Sequence, residues 1–144
     1  MAKAKIDESS VMVKLSDTTL SFSDRSEDIR GRKVYDSNRE EIGEVDDLFV
    51  DQPEGKVRFL QVSSQGFLGL GKTKFLIPVD AITSMSADEV RISQTREHVA
   101  RAPAYSPELV DRRFVTNMYG YYGYDPYWDK GYVYPPYPYY PPLL

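Results

Sequence analysis

Short apolar runs, separated by turn residues, fill the middle of the chain between residues 29 and 93. The clearest pair, 42–50 and 57–63, flanks a turn sequence rich in Asp, Pro and Gly, which predicts a β-hairpin. Further strands are predicted near 33–35, 75–79, 82–85 and 90–92. No helical period separates these runs. The pattern therefore predicts a mainly β fold, a small antiparallel barrel that is closed or nearly closed.

Two helical segments follow the predicted strands. Residues 95–101 are typical of a short helix. The sequence Ser-Pro-Glu at 106–108 then favours a helix start, and Val110, Phe114 and Met118 recur every four residues after it. We therefore predict a second helix that docks through this single apolar stripe.

The end of the chain has a strongly biased composition. From residue 119 onward it carries ten of the twelve tyrosines, the single tryptophan and six of the ten prolines. Because this region lacks a hydrophobic period, we expect it to stand apart from the barrel, with residues 132–142 forming an extended, polyproline-like strip. Deleting 131–144 should then leave the barrel folded but weaken docking to a partner, since Tyr and Trp often anchor interfaces.

These patterns predict four parts along the chain. They are a leader or edge segment at 1–24, a barrel at 25–94, a helical extension at 95–120 and a Tyr/Pro-rich tail at 121–144. No run of eighteen apolar residues occurs, so neither a signal peptide nor a membrane span is expected.

Composition narrows the chemistry. The chain has no cysteine and one histidine, which excludes disulfides, thiolate metal sites and sites built from several histidines. Its formal net charge of -4 offers no attraction for phosphate, and from residue 101 onward the chain holds four acidic and four basic residues, so nucleic acid is not an expected partner. We expect no enzyme activity, no metal and no cofactor. His98, in a charged helical segment, is interpreted as a surface or capping residue.

One segment matches a nucleotide-binding motif by its letters. Residues 66–73 fit the pattern G-x-x-x-x-G-K-[ST], whose backbone cradles phosphates at a helix N-terminus. Here a predicted strand ending in Pro78 follows the motif, where a helix is required. We therefore interpret the segment as a glycine-shaped barrel loop that presents Phe67, Leu68 and Leu70. An enzyme that uses this loop stays a third alternative.

The densest acidic segment lies on the predicted hairpin. It includes Glu41, Glu44, Asp46 and Asp47. The spacing does not match an EF-hand loop, so a solvated strand face is the simplest interpretation, with casual cation binding as an alternative.

The order of these segments resembles the PRC-barrel family. The matching stretches are 29–36, 42–51, 57–62, 66–71 and 76–80. This family includes the barrel part of the photosynthetic reaction centre H subunit, ribosome maturation factors and free-standing bacterial proteins. The resemblance implies a docking or assembly module, although a fold alone does not fix a function. Unlike the H subunit, this sequence shows no N-terminal transmembrane helix.

The resemblance implies a non-catalytic subunit, in its most concrete form a soluble cytoplasmic cap on a photosynthetic reaction centre or similar membrane complex. Such a cap would shield the quinone side, stabilise the complex and reach the membrane face only through a protein partner. A free-standing adaptor, stress-related or ribosome-associated, is the alternative, and a homodimer is possible. If the reaction-centre role applies, the four acidic residues named above would gather protons at the surface. The expected partner-binding residues are Phe67, Leu68, Leu70, Tyr121, Tyr122, Tyr124, Tyr127, Trp128, Tyr132, Tyr134, Tyr137, Tyr139 and Tyr140.

Overall fold

A computed structural model describes residues 12–17, 28–64, 74–103 and 111–138. Within these ranges the fold is mainly β, as the sequence predicts. The strands are β1 (Val13–Lys14), β2 (Lys33–Tyr35), β3 (Glu41–Asp51), β4 (Lys56–Ser63), β5 (Lys74–Pro78), β6 (Ile82–Met85) and β7 (Glu89–Ile92). The helices are α1 (Arg96–Ala100) and α2 (Arg112–Tyr122), with short 3₁₀ helices at Leu15–Asp17 and Val79–Ala81.

The strands form one mixed sheet in the order β5-β4-β3-β2-β7-β6, with β1 pairing beside β2 on the same edge of β3. The predicted hairpin β3–β4 is present and antiparallel. The expectation of an antiparallel barrel holds for every described strand pair except one, because β2 and β7 run parallel. Closure is also not reached, since no pairing joins the outer strands β5 and β6 in the described ranges. A parallel pair joins distant segments, so no local turn signal announces it.

Strand β4 is buried on both of its faces. Six consecutive residues, 57–62, are buried. In a strand with one solvent-exposed face, buried and exposed residues would alternate. In the pairing of β4 with β3, Phe59 lies opposite Phe49 and Val57 lies opposite Val50. Arg58 is therefore the extra residue of a β-bulge. Helix α2 covers part of this strand, with the ring of Tyr119 5.0 Å from that of Phe59. The barrel core therefore extends beyond the sheet itself.

Helix α2 docks through a wider stripe than the one predicted, of which Met118 is buried and Phe114 packs against the core. Phe114 is only partly buried, and Val110 lies outside the described residues. The helix begins after Asp111, whose carboxylate accepts from the backbone N–H of Phe114 at 2.9 Å, and it runs past residue 120 to Gly123 in the left-handed conformation. The amphipathic tyrosines, which a purely apolar pattern omits, complete the buried face. Its buried members are Val115, Met118, Tyr119 and Tyr122.

Gly43 lies where the backbone of β3 comes close to the end of β4. A Cβ at this position would overlap the carbonyl oxygen of Ser63 and lie 2.9 Å from its carbonyl carbon. Because backbone atoms cannot rotate away, we expect Gly43→Ala to lower the free energy of unfolding by roughly 1–3 kcal/mol, as measured by urea denaturation. Gly120→Ala is the matched control, since α2 leaves open space there and alanine favours helix. Equal losses in the two variants would contradict this account of Gly43.

Candidate functional site

Residues 124–138, which we call the strap, lie against the barrel. Tyr134 donates its hydroxyl to the carbonyl of Val57 at 2.9 Å, and Tyr132 donates to Asp80 Oδ2 at 2.8 Å. Tyr137 is 7% exposed and belongs to the hydrophobic core. The expectation that the tail stands apart from the barrel is therefore wrong for the described part of it. Its predicted docking residues Tyr139 and Tyr140 lie outside the described ranges.

The strap closes over a buried arginine. Arg58, 2% exposed, points its Nε at Asp51 Oδ2 at 2.7 Å, while its Nη2 lies 3.2 Å from Glu54 Oε1. Burial lowers the pKa of Arg58, but the hydrogen bond and charge of Asp51 outweigh burial and raise it overall. The guanidinium therefore stays charged inside the protein, and its positive charge needs partners on every side.

Tyrosine rings of the strap supply the remaining partners of this guanidinium. The carbon Cζ of Arg58 lies 4.0 Å from the ring centroid of Tyr127, 5.2 Å from that of Tyr134 and 5.9 Å from that of Tyr132. Each distance falls within the range of a cation–π interaction. A second such contact places Arg112 of α2 4.4 Å from the ring of Trp128. Cationic side chains of the barrel and α2 thus hold the strap in place.

Two tyrosines of α2 connect this helix to α1 and to the edge of the sheet. Tyr121 stacks on His98 with ring centroids 4.1 Å apart and donates its hydroxyl to the His98 carbonyl at 2.6 Å. Tyr122 donates to the carbonyl of Leu76 on the outer strand β5 at 2.9 Å. Each ring adds apolar cover, and each hydroxyl satisfies a backbone acceptor. His98 therefore lies in a contact between α1 and α2.

The strap keeps one side available to solvent. Five predicted docking residues are half-buried, neither enclosed nor fully exposed: Tyr124, Tyr127, Trp128, Tyr132 and Tyr134. Between them Val133 is 81% exposed, the one large hydrophobic side chain so exposed within the described ranges. Tyr122 and Tyr137, in contrast, are buried in the chain's own core. The predicted loop residues Phe67, Leu68 and Leu70, with the rest of the P-loop-like segment, lie outside the described residues.

The four acidic residues of β3 have different surroundings. Glu41 is exposed and 3.5 Å from Lys33, and Glu44 is exposed as well. Asp46 lies 2.5 Å from the ammonium of Lys74, and this hydrogen bond, partly offset by burial, lowers the pKa of Asp46. Their proton-gathering role stays a prediction.

Asp47, the fourth member, is 5% exposed and serves the fold. Its carboxylate accepts from the hydroxyl and the backbone N–H of Ser16 and from the N–H of Leu48. These bonds attach the 3₁₀ helix at Leu15–Asp17 to β3. A buried carboxylate with three donors is a structural anchor, because its desolvation is offset by those bonds.

Another acidic group has the spacing of a cation site. Asp36, Glu40 and Glu97 each place a carboxylate oxygen within 4.8 Å of the others. The buried Asp36 already accepts from the backbone N–H groups of Asn38, Glu40 and Arg96, each at 2.8 Å. These bonds organise the turn after β2 and connect it to α1, so they explain the cluster without an ion.

Sequence reasoning missed the Arg58 cluster, namely Arg58, Asp51 and the strap rings around them. The available signal was a charged residue inside an otherwise apolar strand, seven residues after Asp51 and four after Glu54. A cation that enters a buried strand requires an anionic partner, and the adjacent turn supplies two candidates.

Comparison with known proteins agrees with the sheet architecture. No helix in the described ranges is both long and apolar enough to cross a bilayer. A comparison with curated proteins found none that matches. The family model of the PRC-barrel domain matches residues 23–99, more than half of the chain, and ends within α1, before the strap. The chain therefore belongs to the PRC-barrel domain family.

Proposed function

We propose that this protein is a non-catalytic interaction module that binds a protein partner on the outward side of the strap. Family membership supports an interaction role, because PRC-barrel domains are generally non-catalytic. The observation that carries the location is the set of half-buried rings in the strap, together with the exposed Val133. Aromatic side chains dominate interface energetics, and few other large apolar groups are offered by the described surface.

Anchoring on the barrel makes the strap a better docking surface than a free tail. Its rings are fixed by hydroxyl bonds and cation–π contacts on their inner side, as with Tyr132 and Tyr134. A partner therefore loses less free energy in ordering these side chains on binding. The partner surface we propose is a shallow groove that accepts aromatic and proline side chains.

In its finer form the proposal makes the protein a cap on the cytoplasmic side of a membrane complex, as in the reaction centre H subunit. This form is supported by the family resemblance. A free-standing adaptor uses the same docking surface on a partner outside the membrane. The cap predicts a partner in the membrane fraction of the cell, and the adaptor predicts one in the soluble fraction. One experiment therefore separates the two forms.

Trp128→Ala is expected to reduce partner recovery about tenfold or more, since tryptophan is enriched among residues whose truncation costs at least 2 kcal/mol of binding. The full chain is cross-linked in cells of its source, purified by a tag, and its partners are quantified from detergent-solubilised membranes and from the soluble fraction. Asn117→Ala, an exposed change on α2, is the matched control.

If a partner is recovered from membranes and is lost with Trp128→Ala, the result supports the cap. If that partner is recovered instead from the soluble fraction, the result supports the adaptor. Equal recovery with Trp128→Ala and Asn117→Ala, while thermal unfolding shows both folded, would contradict docking on the strap.

A further inference from the structure

Two buried polar atoms beneath the strap have no hydrogen-bond partner among the residues that the structure describes. They are the hydroxyl oxygen of Tyr119, whose side chain is 0% exposed, and Asp80 Oδ1. Tyr132 connects the two residues to the strap, because its hydroxyl bonds the other Asp80 oxygen at 2.8 Å. The ring of Tyr119 lies 5.0 Å from that of Phe59, which pairs with Pro78, two residues before Asp80. Burial, followed by the charge of Asp80, raises the pKa of Tyr119. Both residues also lie in the surroundings of Arg58.

We infer that one structural water molecule is bound beneath the strap, donating a hydrogen bond to Asp80 Oδ1 and accepting one from the Tyr119 hydroxyl. Buried polar groups without protein partners are the usual sites of internal water. The carboxylate oxygen needs a donor and the phenol has a proton to donate. The two atoms do not bond each other directly, and a single water satisfies both.

The surroundings select water over a cation. Arg58 already places a positive charge in this region, and its guanidinium is held by Asp51 at 2.7 Å. A second cation would be repelled, whereas a neutral donor and acceptor is not. The strap then rests on the barrel through a partly hydrated interface, which is common where polar groups meet imperfectly.

A crystal structure of the full chain at high resolution tests the site directly. The expected result is a water peak at hydrogen-bond distance, about 2.6–3.2 Å, from both Tyr119 Oη and Asp80 Oδ1. A direct bond between the two side chains, or a dry site, would overturn the inference.

Thermal unfolding of variants supplies a second test. With the water present, Tyr119→Phe removes one of its partners and the melting temperature falls. Without it, the change removes an unpaired buried hydroxyl, and the melting temperature stays equal or rises, which overturns the inference. Tyr122→Phe is the reference variant, because it removes a hydroxyl that donates a hydrogen bond to the carbonyl of Leu76. Its change in melting temperature gives the size of the loss expected for one buried hydrogen bond. The combined Tyr119→Phe and Asp80→Asn variant should lose less than the sum of the two single losses, and strict additivity counts against the shared water.

Discussion

Arg58→Met is expected to lower the free energy of unfolding by roughly 3–5 kcal/mol, the cost of leaving a buried charge without its partner. The side chains of Arg58 and Asp51 are 2% and 3% exposed, so water cannot replace the lost contact. Methionine keeps much of the apolar length but no charge, and the cation–π contacts with Tyr127 and Tyr134 disappear as well. Urea denaturation of the full chain measures the loss.

Two further variants identify the cause of that loss. Arg30→Met breaks the ion pair between Arg30 and Asp28, whose length of 2.6 Å is similar. Both of these side chains are about one-third exposed, so we expect little change in the free energy of unfolding. Adding Asp51→Asn to Arg58→Met removes the unpaired charge and should recover part of the stability. No recovery in the double variant would mean that packing, and not the buried charge, dominates at Arg58.

Deleting 131–144 is expected to destabilise the barrel by about 4 kcal/mol or more, at roughly 1.5–3 kcal/mol for each large side chain that loses its cover. The deletion removes the buried Tyr137 and two rings beside Arg58, those of Tyr132 and Tyr134. It also leaves the Val57 carbonyl without the hydroxyl that it accepts from. Since domains are stable by only about 5–15 kcal/mol, this loss is a large fraction of the total and should lower the melting temperature markedly.

Deletion of 139–144 alone is the control, because it leaves every strap contact named above in place. Thermal unfolding followed by far-ultraviolet circular dichroism compares the two shortened chains with the full one. An unchanged transition after removal of 131–144 would mean that the strap adds nothing to the fold, which is the outcome that composition alone predicts.

The sequence predicts the elements of this fold better than their assembly. The β3–β4 hairpin and the start of α1 at Thr95, which accepts from the His98 N–H, follow from local turn and capping chemistry. The parallel pairing of β2 with β7 depends on segments more than fifty residues apart, and no nearby residue encodes it.

The strap was missed for a different physical reason. Periodicity detects elements whose backbone repeats, and 124–138 contains neither helix nor strand. Its order depends on individual pairings, such as the Tyr132 hydroxyl with Asp80 and the Tyr127 ring with Arg58. One clue was present in β4, whose unbroken burial from 57 to 62 requires cover on a second face, and the tyrosines were the side chains left to provide it.

Trp128 gives the molecule a built-in optical reporter. It is the single tryptophan of the chain, it lies in the strap, and its indole is 4.4 Å from the guanidinium of Arg112 and 5.0 Å from the ring of Tyr127. Fluorescence excited at the indole therefore senses the seating of residues 124–138 against α2. Circular dichroism senses the sheet, so the two signals, recorded on one sample, distinguish release of the strap from unfolding of the barrel without any label.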